Sequence, residues 1–306
     1  MGKQPALLRW ELPGAGPEDI VVDACGHIIT GVEDGRILRG DPVTGRWTTL
    51  TQSTGRPLGL EVDAEAGLWI CDSPNGLLHL DANRQVLRSR VTCIGAQPLR
   101  FCSNVVADGK GGAYFTASSM RYPLTSYRRD LLEHVPSGML AHVDAAGHVS
   151  VLAKDLGFAN GLVLMPDQSA LVVAETALAR LIRFDLSTRA LSVWADLPAM
   201  PDNMSLDAER GLVWVALVSP IPSTLALLGK APLPVRRAVG LLPEMLLPQP
   251  ADRAWVQAYD QQGCLVRDFC WKNVGYRAVT GVCARGDRLY MGSLQERAIA
   301  FCRLPD

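Results

Sequence analysis

The sequence predicts an all-β fold, a six-bladed β-propeller, and three observations carry that expectation. One phrase recurs six times: a short apolar strand, a turn built on Asp or Gly, then a second strand rich in aromatic and β-branched residues. The copies recur at about 40–55 residues, the length of a blade of three or four antiparallel strands. Most are followed by a third strand that ends near an Asp. Each blade of such a ring completes its core only against its neighbours, so the expected organisation is one domain over residues 1–306.

The first copy, EDIVVDACGHIITG, starts at Glu18 and leads into GRILRGD, which ends at Asp41. The second, LGLEVDAEAGLWICD from Leu58, leads into GLLHLD, ending at Asp81. NVVADGKGGAYFTAS from Asn104 and GMLAHVD to Asp144 make the third; NGLVLMPDQSALVVAE from Asn160 and ARLIRFD to Asp185 make the fourth. DNMSLDAERGLVWVAL from Asp202 with AWVQAYD to Asp260 is the fifth, and TGVCARGDRLYMGS from Thr280 the sixth. The turns between paired strands have hairpin chemistry, with Asp and Gly supplying the reversal.

Two stretches break the rhythm. Residues 117–137 (ASSMRYPLTSYRRDLLEHVPS) lengthen the third blade, and residues 219–252 form a short helical or loop insertion in the fifth. The second is apolar for a loop, with Leu225, Leu227, Leu228, Leu241, Leu242, Met245, Leu246 and Leu247. Lys230, Arg236, Arg237 and several prolines interrupt it, so it does not supply the roughly 20-residue apolar span of a transmembrane helix. Long insertions in compact domains are often lids or binding loops. A lid over the channel mouth is the preferred reading, ahead of a helical pair packed on the surface or shallow membrane contact.

Composition narrows the partners. Of 306 residues, 48% are apolar and 20% charged, with 30 basic against 31 acidic; this excludes a disordered tail, a coiled coil and a collagen-like rod. A balanced charge gives no basic face for nucleic acid. The N-terminal MGKQPALLRWELPG lacks the apolar run of a secretory signal, so the expected compartment is the cytoplasm. The eight cysteines are scattered without a C-x-x-C spacing, and most of them read as buried thiols packed as small hydrophobes rather than a zinc or redox motif. Sequence leaves a monomer and a small homo-oligomer both open.

The innermost strand of each blade lines the central channel, so equivalent positions converge. The first residues of the copies are Glu18, Leu58, Asn104, Asn160, Asp202 and Thr280, and a neighbouring column adds Asp19 and Asn203. Carboxylates gathered at one end of a channel repel and push one another's pKa upward unless a cation joins them. With only oxygen donors in the column, calcium is the first choice among divalent ions; Mn2+, Mg2+, Fe2+ or Zn2+ would be tolerated by a subset of these ligands.

These motifs resemble the six-bladed superfamily of gluconolactonases, strictosidine synthase-like proteins and paraoxonases. The resemblance runs through GRPLGLEVD (Gly55–Asp63), GGAYFTASS (Gly111–Ser119), FANGLVLMPD (Phe158–Asp167), LVVAET (Leu171–Thr176), MPDNMSLD (Met200–Asp207) and RLYMGS (Arg288–Ser293). The order of NGL, AET and PDN is most similar to the strictosidine synthase-like branch. The resemblance implies a divalent metal, usually calcium, held by Glu18, Asn104, Asn160 and Asp202, with Asn203 a further ligand, and hydrolysis of lactones or esters.

Departures shape the expected substrate. Gluconolactonases carry an Arg two residues before the first Asn and an Asp just after it; Cys102 and Val105 stand there, against a polyhydroxylated sugar. Leu58 occupies the position of a paraoxonase His, and Thr280 and Gly281 replace the glutamate of plant strictosidine synthases. The usual YFTD is YFTA, with Ala117.

The expected activity is therefore that of a divalent-metal-dependent lactonase or esterase acting on an apolar small molecule. Asp202 is the first candidate for general base, Glu18 the second, and His134 in the third-blade insertion a candidate proton carrier. Tyr122 and Tyr127, with the apolar insertion, would line an apolar pocket. His27, His79, His142 and His148 fall in strands or turns away from the column. No G-x-S-x-G elbow or dinucleotide fingerprint in its strand-turn-helix context is present. The alternative is a strictosidine synthase-like propeller that binds an apolar ligand or a protein without lactonase activity.

Overall fold

The computed structural model describes residues 4–82, 86–221, 228–229, 231–242 and 251–305. An N-terminal strand, β1 (Leu8–Glu11), precedes the first blade, β2–β5 (Ile20–Val22, Ile28–Gly31, Arg36–Asp41, Arg46–Gln52). Blade two is β6–β9 (Arg56–Val62, Leu68–Ser73, Gly76–Asp81, Val86–Val91), and a two-stranded ribbon, β10–β11 (Cys93–Ile94, Gln97–Pro98), leads out of it. Blade three is β12–β15 (Cys102–Ala107, Ala113–Ala117, Gly138–Val143, Val149–Leu156). Blade four is β16–β19 (Ala159–Leu164, Ala170–Glu175, Arg180–Asp185, Leu191–Asp196), and blade five β20–β23 (Met200–Asp207, Leu212–Ser219, Arg253–Tyr259, Leu265–Lys272). Each is an antiparallel four-stranded sheet in simple order.

The sixth sheet closes the ring. Its three C-terminal strands, β24–β26 (Val279–Arg285, Arg288–Ser293, Ala298–Arg303), take β1 as their fourth, with Leu8 opposite Phe301 and Glu11 opposite Ala298. The repeat does not foresee this, since the closing strand lies ahead of the first copy. Trp10 on β1 packs on Trp47 of blade one, with ring centroids 4.4 Å apart, so the closing strand is also fastened sideways.

The core lies between blades, in six apolar clusters among the described residues. Strand period two sends alternate side chains to opposite neighbours. In β7, Leu68 and Ile70 join Ile29 and Ile37 of blade one, while Trp69 and Cys71 join Phe101 and Phe115 of blade three. That is why the middle strands are apolar at every position instead of alternating with polar residues.

The hairpin aspartates work as the turn chemistry predicts. Asp23 Oδ1 accepts the amides of Cys25 and His27, Asp63 Oδ1 those of Glu65 and Gly67, and Asp108 Oδ1 those of Lys110 and Gly112. The second oxygen of each takes a basic side chain: Asp23 pairs with Arg39 and His27, Asp63 with His79, Asp108 with His142. His148 pairs with Asp144. Four histidines therefore sit in turns and strands at the end of the blades away from the column.

Neighbouring inner strands approach so closely that every second blade needs a glycine. A Cβ on Gly59 would lie 2.5 Å from Asn104 Cα, one on Gly161 2.4 Å from Asp202 O, and one on Gly281 2.7 Å from Asp19 Cα. Backbone atoms cannot move aside as side-chain tips do. Gly161→Ala is expected to cost roughly 2–3 kcal/mol, the upper range for overpacking, measured by denaturant unfolding.

Candidate metal centre

Inner strands run from the column toward the Asp turns, so the column residues gather where those strands begin. Glu18 and Asp19 lie just ahead of β2, Asn104 is third in β12, Asn160 second in β16, and Asp202 and Asn203 third and fourth in β20. All six are buried. Asn203 sits between two of them: its Nδ2 donates to Glu18 Oε1 at 3.0 Å and its Oδ1 accepts from Asn104 Nδ2 at 3.0 Å. Asn104 Nδ2 also reaches Asp19 Oδ2 at 3.4 Å. The structure thus brings Glu18, Asp19, Asn104 and Asn203 into one bonded group.

Around them the backbone is tied from blade to blade. Thr280 Oγ1 donates to Glu18 O, Thr116 Oγ1 to Asn160 O and Thr176 Oγ1 to Pro201 O, each at 2.7 Å. Leu60 N donates to Asp19 Oδ2 and Leu162 N to Asn104 Oδ1. Ser103 Oγ donates to Asn160 Oδ1 at 2.8 Å. These bonds hold the column from behind.

The electrostatics are those of crowded buried acids. Burial, then the Asp202 and Asp19 charges, pushes Glu18 well above the usual carboxylate range. Burial and the Asp19 charge push Asp202 up to about 8, against the pull of a hydrogen bond from Asn160. Burial takes Asp19 up to about 7 despite the amides of Leu60 and Ile20. Deeper in the inner-strand ring, burial and Asp19 push Glu61 up to about 8.

A divalent ion fits this set. Glu18 Oε2 is buried with no hydrogen-bond partner among the described residues, a carboxylate oxygen with an open coordination position. The donors are all oxygens, the chemistry of a hard cation. Asn104 Oδ1 faces Leu162 N, which uses one of the two lone pairs of the amide oxygen. Glu18, Asn160, Asp202 and Asn203 would hold the ion with Asn104.

Arg56 is not among the residues singled out by the motifs. It opens β6, two residues before Leu58, and burial lowers its pKa while the neighbouring Glu18 charge opposes the shift. Its Nη2 donates to Gly16 O, and its Nη1 is buried without a hydrogen-bond partner among the described residues. The signal was available in the repeat, as the one Arg at the position two before the column; the corresponding residues are Gly16, Cys102, Phe158, Met200 and Ala278.

Both insertions join the second strand of a blade to its third, which puts them at the column end. The first contains a 3-10 turn (Leu124–Ser126) and α1 (Tyr127–Glu133); the second contains α2 (Leu233–Val239). They meet through Arg236 Nη1, which donates to Glu133 O, and Arg237, whose Nε is 3.6 Å from Glu133 Oε2. Arg121 and the Tyr122 hydroxyl also donate to the buried Glu133 carboxylate. Although burial works against it, the Tyr122 and Arg121 donors hold Glu133 below its usual range. Glu133→Ala strands these donors and is expected to loosen the cap by about 2 kcal/mol or more, seen as faster limited proteolysis between residues 117 and 137.

The other expected mouth residues are placed as follows. His134 caps α1 in the left-handed region at φ 49°, and burial, then Arg236, lowers its pKa; among the described residues no hydrogen bond joins it to the column. Tyr127 packs on the apolar cluster of Phe101 and Phe158. Leu241 and Leu242 are 70% and 45% exposed. Leu225, Leu227, Lys230, Met245, Leu246 and Leu247 lie outside the described residues. Among the described residues no helix is long and apolar enough to cross a membrane.

Fold and site together define a six-bladed propeller with an oxygen-rich acidic cluster at one end of its channel. Similarity to known proteins agrees with this class. Residues 104–189 match the strictosidine synthase family and residues 6–40 its strictosidine synthase-like N-terminal region. Adipocyte plasma membrane-associated protein of Gallus gallus is 31% identical over 98% of this chain and 78% of its own length. Protein strictosidine synthase-like 7 of Arabidopsis thaliana is 32% identical over 66% of this chain. The chain belongs to the strictosidine synthase-like family. It spans 56–64% of the length of the Arabidopsis relatives it matches. In fold, it is similar to a gluconolactonase from Xanthomonas campestris (TM-score 0.70, 17% identity, 98% of this chain and 89% of that one). It is similar also to the calcium-binding protein regucalcin of Agrobacterium tumefaciens (TM-score 0.66, 17% identity, 96% and 92%).

Proposed function

We propose that this chain is a divalent-metal-dependent hydrolase of lactones or esters, with calcium the first choice of ion and an apolar small molecule the substrate. The observation that carries the reading is the burial of Glu18, Asn104, Asn160, Asp202 and Asn203 at one end of the channel, with Glu18 Oε2 left without a hydrogen-bond partner among the described residues. When bound, a divalent cation supplies Lewis-acid polarisation of a carbonyl oxygen. Asp202, the carboxylate bonded by Asn160, accepts the proton of the attacking water, and Glu18 anchors the opposite side through Asn203. Cys102 and Val105 are buried apolar contacts beside Asn104, which favours an acyl or aryl lactone over a sugar lactone. In this reading the two insertions, which meet through Arg236 and Glu133 at the column end, serve as the lid over the mouth.

The test is hydrolysis of sugar, aliphatic and aryl lactones with and without chelator. Chelator-sensitive turnover of the aliphatic or aryl members is expected, and absence of metal-dependent turnover across the panel contradicts the reading. A second reading, an apolar-ligand or protein-binding propeller without hydrolysis, is favoured by Ala117 and Thr280, which stand where the family resemblance implies acids. Ligand binding that survives loss of Asn160 and Asp202 would select it.

A further inference from the structure

We propose that Cys71 and Cys102 form a disulfide modification site that ties blade two to blade three beside the column. Their sulfurs lie 3.0 Å apart, about 1 Å outside the roughly 2.05 Å of a covalent S–S bond. Both residues are 0% exposed, and among the described residues the only hydrogen bond of either sulfur is to the other. Paired strands hold both: Cys71 pairs with Leu77 in β7–β8, and Cys102 opens β12 opposite Ala117, just ahead of a shift in the β12–β13 register.

The repeat gives the contact a purpose. GLWICDS of blade two aligns with GAYFTAS of blade three, which places Cys71 where blade three has Thr116. Thr116 ties its blade to the next through the bond from its hydroxyl to Asn160 O. Cys71 stands at the same point with its sulfur against Cys102 of the next blade, so a covalent bond would replace a hydrogen bond in the same role. Cys102 lies two residues before Asn104, so the link would secure the strand that carries it. Neither thiol is needed for the reading of the column, and either can fail alone.

The chemistry balances with a low-molecular-weight disulfide as oxidant. The two thiols lose two protons and two electrons as the S–S bond forms, and the oxidant's own S–S bond is reduced to two thiols. In the buried pair this exchange requires transient opening of the blade interface or takes place while the chain folds.

The test uses the full chain purified reduced, with exposed Cys25, Cys93 and Cys264 first blocked by N-ethylmaleimide. One sample is incubated natively with oxidised glutathione; another is unfolded and refolded in a glutathione buffer. Denaturation, alkylation and peptide mass spectrometry should find the Cys71–Cys102 link in most chains of at least the refolded sample. That sample should melt about 4–10 °C higher than its reduced form, reversibly with dithiothreitol, and Cys102→Ala should remove the shift. Cys71→Thr, which copies blade three, should fold and show no redox-dependent shift. The proposal is overturned if both thiols stay free in both samples, or if either sulfur links to a different cysteine.

Discussion

Asp202→Asn is expected to do two opposite things: stabilise the metal-free chain at pH 8 and abolish its stabilisation by calcium. Asp202 is buried beside Glu18 and raises its pKa through charge repulsion, so removing one charge relieves a conflict that the metal-free chain otherwise resolves only by holding protons. The same substitution takes a charged oxygen from the ion. Calcium at a hundred times its Kd should stabilise the wild-type chain by about 2.7 kcal/mol, a rise in Tm of about 5 °C at this length. The variant should lose that rise and, if the chain is a hydrolase, at least about 100-fold in kcat/KM. A variant that is destabilised without metal but still gains 5 °C from calcium would place the ion elsewhere. Sites that hold like charges for function and sacrifice stability to do so behave in this way.

The metal-free chain should lose stability as pH rises from 5 to 8. Asp19 is pushed up to about 7 and Asp202 and Glu61 to about 8, whereas in an unfolded chain such carboxylates titrate near pH 4. Between these limits the folded chain holds protons that the unfolded chain has released, so the slope of stability against pH is negative. The contribution is full below about pH 4 and is lost as pH passes through 7 and 8. Each pKa unit is worth about 1.4 kcal/mol for an independent group. These acids titrate together, and a loss of roughly 3–5 kcal/mol across the window is expected, read as a falling Tm in chelator. Saturating calcium should flatten the profile, because the ion neutralises the charge that protons otherwise remove. A metal-free Tm that is flat or rises over this window contradicts the electrostatic account.

Much of this was legible in the residues. The six phrases fall on the six inner hairpins, and Glu18, Asn104 and Asn203 meet in one hydrogen-bonded group, because a repeat that places residues in register also places them around one axis. Two features were not, and a third, Arg56, was marked in the repeat only as the one Arg two residues before the column. The closing strand β1 pairs with β26 across the whole length of the chain, and it lies ahead of the first full copy of the repeat with no local motif to mark it. Arg56 is a basic residue in a strand start, a common sequence event whose burial depends on the loop at Gly16. Cys71 and Cys102 are separated by a blade boundary and have no short-range spacing motif. His134 carried general acid-base chemistry in its residue type, but its backbone became the end of α1, and its surroundings are set by Arg236 from the other insertion.

The most direct test of the metal centre is calorimetric titration of chelator-stripped protein with calcium at pH 7.5, in parallel with Asn160→Ala and Asp202→Asn. Binding of one ion per chain to the wild type, with proton release on binding and loss of the signal in both variants, is the result the site predicts. No heat of binding up to millimolar calcium, or an undiminished signal in the two variants, would contradict it.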